Sequence, residues 1–332
     1  MNILVTGGAG YIGSHAVRML AAQGHRVRIY DNLSLGHREL VQGFELIEAD
    51  IGDGDRLRPA LDGIELVMHF AASAYVGESF LNPRKYFTNN VVNGLSLLNA
   101  AVDAGVRQFV FSSTCAVYGA HDVRMTESTP CSPINPYGDS KLFFERALDA
   151  YDRQYGLRSV RLRYFNASGA DESCETGELH EPETHLMPLA LEVAAGWRPA
   201  LELFGDDYPT PDGTCIRDFI HVTDLSRAHA RAAEYLQRGG ASCALNLGSG
   251  QGHSVKEVLS TIERITGRPV PTRVKARRPG DPPILLADAS LAKKILGWTT
   301  ACSLDQIVTS AWQWMHSENC QKLRRVGVKS EV

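Results

Sequence analysis

The chain has 332 residues, 44% of them hydrophobic, and a formal net charge of −4. That is enough apolar material for one large or two ordinary domains with a sizeable core. The interspersed, nearly balanced charge excludes a broad nucleic-acid surface or a basic membrane patch, so an anionic ligand has to be met by local groups. The first residues enter an apolar run with no charged leader, and no stretch approaches eighteen apolar residues. Seven cysteines are scattered without a C-x-x-C pair. We expect a cytoplasmic protein with reduced thiols, its cysteines packed as small core residues except Cys115, which lies beside the candidate site.

In chain order, residues 3–5 read as a strand, 14–22 as a helix, 27–30 and 46–47 as strands, and 66–69 as a fourth strand. A helix is predicted over 89–104, a strand at 109–111, a helix from Pro136, and a strand at 160–162. Short apolar strands alternating with helices predict an α/β fold of Rossmann type, a doubly wound parallel sheet buried on both faces. After Asn166 the loops lengthen and gain proline, glycine and acidic residues. The expected division is residues 1–165, with some later segments returning to that unit, and a smaller α/β unit over 166–332. The tail after Gln321 reads as basic and frayed.

Thr6-Gly7-Gly8-Ala9-Gly10-Tyr11-Ile12-Gly13 follows the first strand and opens the first helix. Gly7 suits a tight turn, Gly10 a close backbone approach to a pyrophosphate, and Gly13 close packing of helix on strand. The helix start then offers free N–H groups and partial positive charge to phosphates. Asp31 ends the second strand, where a carboxylate meets both adenosine ribose hydroxyls and repels a 2′-phosphate. NAD is therefore expected over NADP, although Arg38 lies seven positions on.

Pro136 starts a helix that carries Tyr137 and Lys141 at i and i+4 on one face. A free tyrosine titrates near 10, so working as a base near pH 7 asks for roughly 4 kcal/mol of phenolate stabilisation. A lysine ammonium and a cationic nicotinamide ring together can supply it. Thr114 closes the preceding strand, at the carboxyl end where ligands meet open parallel sheets. Taken alone, a Tyr-x-x-x-Lys is more often a half-buried tyrosine beside a surface lysine. Following a dinucleotide fingerprint, it points to redox chemistry.

These segments resemble the extended short-chain dehydrogenase/reductases, and within them the UDP-glucose 4-epimerases. Further matching stretches are Asp31-Asn32-Leu33, His69-Phe70-Ala71-Ala72, Val76-Gly77-Glu78-Ser79, Asn89-Asn90-Val91, Arg163-Tyr164-Phe165-Asn166, Asp212-Gly213-Thr214, Arg217-Asp218-Phe219 and Pro279-Gly280-Asp281. The resemblance implies NAD-dependent interconversion of UDP-glucose and UDP-galactose through a 4-keto sugar. It implies Tyr137 as base and acid at the 4-hydroxyl, Lys141 tuning it, and Thr114 bonding the 4-oxygen. Tyr11, Ile12, Asp31, Asn32, Asp50, Ile51, Phe70, Ala71, Ala72, Asn89 and Phe165 match cofactor-contacting positions. Asn166, His185, Leu186, Phe204, Arg217, Arg278 and Asp281 match positions around UDP. A homodimer is expected by the same resemblance.

Three positions depart from the family pattern. Ala74 stands where a cofactor-contacting lysine is frequent, His185 where an asparagine is frequent, and Leu285 where a bulky tyrosine accompanies narrow sugar choice. The smaller Leu285 leaves room for N-acetylated sugars, and a UDP-xylose/UDP-arabinose epimerase would use the same groups. A 4,6-dehydratase needs an acidic pair after the threonine, and here Cys115 and Ala116 follow it. A non-catalytic NAD-binding protein would have no use for Tyr137, Lys141 and Thr114 together. His180 and His185 are five apart around Pro182, which reads as a loop rather than a zinc helix, so no metal is expected.

Overall fold

The computed structural model describes residues 1–120, 124–278 and 281–327, the last three by backbone alone. Its strands are β1 (Asn2–Thr6), β2 (Arg26–Asp31), β3 (Glu45–Glu48), β4 (Leu66–His69), β5 (Gln108–Thr114), β6 (Arg158–Tyr164), β7 (Asn166–Ser168), β8 (Leu201–Phe204), β9 (Ile216–His221), β10 (Cys243–Leu247), β11 (Gly252–Ser254), β12 (Thr272–Lys275) and β13 (Ile284–Leu285). The helices are α1 (Tyr11–Ala22), α2 (Gly54–Ala60), α3 (Val76–Leu81), α4 (Pro83–Tyr86), α5 (Gly94–Asp103), α6 (Pro136–Tyr155), α7 (Leu186–Ala194), α8 (Val222–Gln237), α9 (Val255–Thr266), α10 (Ser290–Leu296), α11 (Leu304–His316) and α12 (Glu318–Gly327).

Seven strands form one parallel sheet in the order β10-β6-β5-β4-β1-β2-β3. Successive residues of β1 serve opposite faces. Ile3 and Val5 pack in a core with Val17 and Leu20 of α1 and Leu225 and Leu236 of α8. Leu4 packs on the other side with Leu97, Phe109, Phe144 and Leu148. Both faces are therefore covered by helices, which is why the central strands β1 and β4 carry continuous apolar runs rather than alternating ones. The edge strand β10 and the covering helix α8 come from beyond residue 166, and β10 lies parallel to β6.

A second set of strands is built on β9. It pairs with β7, β11 and β13, while β8 and β12 make a separate pair. Helices α7, α9 and α11 bury Met187, Leu191, Val258, Ile262, Ile307 and Val308 in a third core. Because β6 runs into β7 after only Phe165, the large sheet hands the chain directly to this second layer.

Two expectations change. The predicted helix over 89–104 is interrupted: Phe87–Asn93 winds as a π-helix before α5 begins. Such wide turns reposition side chains, and here Asn90 is buried, donating to Ser73 O (3.0 Å) and Ser140 Oγ (3.0 Å). Of the tail expected to fray after Gln321, the part up to Gly327 continues as α12, and residues 328–332 lie outside the described residues. Burial explains it, because Cys320 and Leu323 pack with Trp314 and Leu40.

Candidate active site

The glycine-rich turn has the backbone its sequence asks for. Gly7 adopts a φ of 71°, and a Cβ there would lie 2.4 Å from Ala71 N. At Gly13 a Cβ would meet Gly7 O at 2.1 Å, so only glycine lets α1 start this close to β1. Gly10 is different: its nearest protein neighbour would be 3.4 Å away, an ordinary contact. Its missing side chain therefore leaves open room beside the backbone. Gly10 is the N-cap of α1 and provides no side-chain cap to the helix start. The N–H groups of Tyr11, Ile12 and Gly13 are left for an anion, which fits a dinucleotide pyrophosphate. The Tyr11 hydroxyl donates to Gly169 O (2.6 Å), so this residue offers its backbone to that anion.

Asp31 is buried, its carboxylate accepting Ala9 N (2.9 Å) and Leu33 N (2.8 Å). Each oxygen keeps a lone pair for a ribose hydroxyl. Asn32 donates to Asp50 (2.8 Å), and Asp50 also accepts from Gly52 N and Asn93, which brings Asn32, Asp50 and Ile51 to one end of the sheet. Phe70 and Ala71 leave β4 with their N–H groups on Thr6 O, and Ala72 follows them. Asn89 reaches Ser73 Oγ (3.3 Å), and Phe165 is buried with its N–H on Leu247 O. Ala74 is exposed.

Helix α6 begins as a well-capped helix does. Asn135 accepts Gly138 N (2.8 Å), Pro136 takes the first position, and Gly156 ends the helix with a φ of 67°. Tyr137 and Lys141 are both buried on its inner face. Lys141 Nζ donates to Ser112 O (2.9 Å), near the end of β5, and lies 5.9 Å from the Tyr137 ring centre. Thr114 ends β5 and accepts Ala116 N (3.1 Å). Burial, with the Tyr164 hydroxyl next, pushes the Tyr137 phenol well above its ordinary value; the Thr114 hydroxyl beside it pulls the other way. Burial also draws Lys141 down to about 7, against the counter-pull of Glu145. Burial thus disfavours both charges.

Sequence reasoning missed the support behind this pair. Glu145 accepts from Ser113 Oγ (2.5 Å) and takes two bonds from Arg163, Nε to Oε1 at 2.9 Å and Nη2 to Oε2 at 2.5 Å. Arg163 Nη1 donates to Tyr118 OH (3.0 Å), which donates to Asn246 (2.6 Å) on β10. The signals were a glutamate four residues after Lys141 on the same helix face and the arginines Arg161 and Arg163 inside a strand of the central sheet.

Around the second layer, Arg217 on β9 pairs with Asp281 (2.5 Å), and the Arg278 guanidinium stacks 4.1 Å from the Phe204 ring centre. Of the Pro279-Gly280-Asp281 motif, the first two residues lie outside the described residues. Asn166 opens β7. Leu285 pairs in register with Arg217 and packs in a cluster with Cys115 and Phe165, directly beside the end of β5. Leu286 and Ala287 follow β13 into the bridge with Met125. His185 caps α7 ahead of Leu186, and its imidazole turns to Glu178 (2.7 Å) and Glu183 (3.3 Å). The stretch Glu178–His185 is a loop, as its proline predicts.

Two outcomes follow from this geometry. Glu145→Gln leaves Arg163 as an under-compensated buried charge and should lower stability by about 3–5 kcal/mol in urea unfolding. Lys141 titrates lower in the folded chain than unfolded, so between about 7 and its unfolded value near 10.4 the unfolded state binds more protons. Its burial is a penalty present in full below about 7 and relieved as pH rises through that window. Lys141→Met should therefore flatten the rise in stability with pH across the window; an unchanged slope would contradict this account.

Residues 3–248 match the model of the NAD dependent epimerase/dehydratase family. The UDP-glucose 4-epimerase of Rhizobium meliloti (strain 1021) is 51% identical over 321 residues, covering 96% of this chain and 98% of that protein. The crystal structure of UDP-glucose 4-epimerase from Brucella ovis in complex with NAD superposes with a TM-score of 0.91 at 51% identity, covering 94% of this chain and 97% of that one. A UDP-glucose 4-epimerase from Stenotrophomonas maltophila, with bound NAD and formylated UDP-arabinopyranose, gives 0.93 at 42% identity, covering 98% and 99%. A glycine turn shaped for a dinucleotide, a buried Tyr-x-x-x-Lys beneath the end of a parallel strand and likeness along nearly the whole chain agree: this chain belongs to the NAD dependent epimerase/dehydratase family.

Proposed function

We propose that this chain is an isomerase that interconverts UDP-glucose and UDP-galactose by transient oxidation at carbon 4. The observation that carries this reading is the burial of Tyr137 beside Thr114 at the carboxyl end of β5, with Lys141 one turn further along α6. Bound NAD supplies the acceptor to which carbon 4 gives its hydride and from which the hydride returns to the opposite face. Tyr137 takes the 4-hydroxyl proton and later gives it back, and Thr114 holds the 4-oxygen by a hydrogen bond. Lys141 orients the nicotinamide ribose and favours the phenolate. The uridine diphosphate is anchored by Arg217, Arg278, Asp281, Phe204, Asn166, His185 and Leu186, so binding energy away from carbon 4 positions a sugar that is free to turn.

Dehydration at carbons 5 and 6 is disfavoured, because Cys115 and Ala116 follow Thr114 and the Cys115 thiol is buried and pushed up to about 12. Leu285 beside Cys115 supports a wider sugar range than a tyrosine there would. Seven free cysteines support a cytoplasmic setting, and among the described residues no helix is long and apolar enough to cross a membrane. Exposed Phe80 and Leu81 on α3, Phe87 and Val92 on the π-helix and Phe143 on α6 support a homodimer through these adjoining elements. Sedimentation at the mass of one chain would oppose that assembly.

Tyr137→Phe tests the chemistry. It should lose about 10²–10⁴-fold in turnover of UDP-galactose while NAD stays bound; full activity would refute the role of Tyr137. Parallel incubations of the unaltered protein with UDP-galactose, UDP-N-acetylgalactosamine and UDP-arabinose read the sugar range directly.

A further inference from the structure

The loop ahead of α7 folds four donor groups together. Glu178, His180, Glu183 and His185 each present one ligand atom, and all four atoms lie within 4.8 Å of one another. His180 Nδ1 is 3.3 Å from Glu178 Oε1 and 3.7 Å from Glu183 Oε2. His185 Nδ1 is 2.7 Å from Glu178 Oε1 and 3.3 Å from Glu183 Oε1. Both carboxylates are deeply buried, each side chain only 7% exposed, whereas His185 is half-exposed and opens the cluster to solvent.

A hydrogen-bonded ion-pair cluster does not account for all of this. The His180 Nδ1 is sealed from solvent yet has no partner in hydrogen-bonding geometry, although two carboxylates stand beside it. The separations suit a different centre. Zinc bonds of about 2.0–2.1 Å to imidazole and carboxylate imply ligand-to-ligand edges of about 3.3–3.4 Å in a tetrahedron. Two of the four imidazole–carboxylate separations, both 3.3 Å, match that value, and Glu183 turns a different oxygen to each imidazole. The 2.7 Å contact needs only a small opening of His185, the one exposed member.

We propose that Glu178, His180, Glu183 and His185 form a four-residue site for a divalent transition-metal ion of the zinc type, held through the two Nδ1 atoms, Glu178 Oε1 and the Glu183 carboxylate. The ion cross-links the loop just before α7. It lies next to Tyr11 at the start of α1 and to Tyr75, whose rings stand 6.2 and 6.0 Å from that of His180. It therefore stiffens a loop that packs against the cofactor-binding end of the large sheet. Two ionised carboxylates and two neutral imidazoles balance the charge of a dication, a donor set suited to zinc or cobalt rather than calcium or magnesium. Neither Tyr137 nor Thr114 supplies a ligand; His185 is shared with the proposed uridine diphosphate anchor, so occupancy is read by metal binding rather than by epimerisation, and its failure leaves the proposed reaction untouched.

Cobalt(II) titrated into the purified full-length, chelator-treated protein at mildly alkaline pH is the direct probe. One ion per chain should bind, with the intense visible bands of tetrahedral nitrogen and oxygen ligation. His180→Ala and Glu183→Gln should each weaken binding by more than the about 10–100-fold that loss of an outer partner costs, with NAD binding retained as the check on folding. X-ray absorption of the zinc-loaded unaltered protein decides the matter if either variant misfolds: light N/O ligands with the scattering of two imidazoles support the site. A sulfur shell from the free cysteines, the weak bands of an octahedral ion, the absence of stoichiometric binding, or affinity unchanged in both variants would overturn it.

Discussion

The reactive end of this molecule depends on one buried carboxylate. Glu145 leaves α6, accepts a hydrogen bond from Ser113 on β5 and takes a two-pronged grip from Arg163 on β6. Removing both charges from water costs several kcal/mol, and only good geometry with every lone pair engaged offsets it. Because the bonds are directional, they set the rotation of α6 against the two strands as well as its distance. Tyr137 lies eight residues earlier on that helix, about 12 Å along its axis and about 80° around it. Its phenol therefore stands where β5 ends, next to Thr114.

The second layer is registered to the first by chain connectivity. Only Phe165 separates β6 from β7, and β7 pairs with β9. Arg217 on β9 is thereby brought near the strand end that carries Thr114 and Cys115, and β13 places Leu285 opposite it. Asp281 holds the Arg217 guanidinium in place. The residues proposed to grip a diphosphate thereby come to the strand end that carries Thr114 and Cys115, although Arg217 and Asp281 are more than a hundred positions from both in the chain.

The electrostatics of the pair are set by burial. Desolvation raises the Tyr137 phenol and lowers the Lys141 ammonium, so the empty protein field favours two neutral groups. The sequence-based expectation shares the stabilisation of the phenolate between the lysine and a cationic ring, and burial lowers the lysine's part in it. Lys141 spends its Nζ on the Ser112 carbonyl and faces the Phe111 ring. A cationic ring in the site shifts the balance toward the phenolate, since an opposite charge acts most strongly where water is excluded.

By itself, the amino-acid sequence determined what depends on neighbours a few residues apart. The glycine spacing specifies a turn only glycine can make, the apolar strands specify a sheet covered on both faces, and Tyr137 with Lys141 falls on one helix face because four residues make about one turn. Tertiary structure alone decided what depends on distant groups meeting: the Glu145–Arg163–Tyr118–Asn246 chain, the return of β10 to the first sheet, and the burial that turns the tail into α12. The loop at His180 and His185 shows the difference most plainly. Its proline correctly excludes a helix, but helical spacing has no bearing on where an irregular backbone points its side chains, and only the folded loop brings both imidazoles onto Glu178 and Glu183.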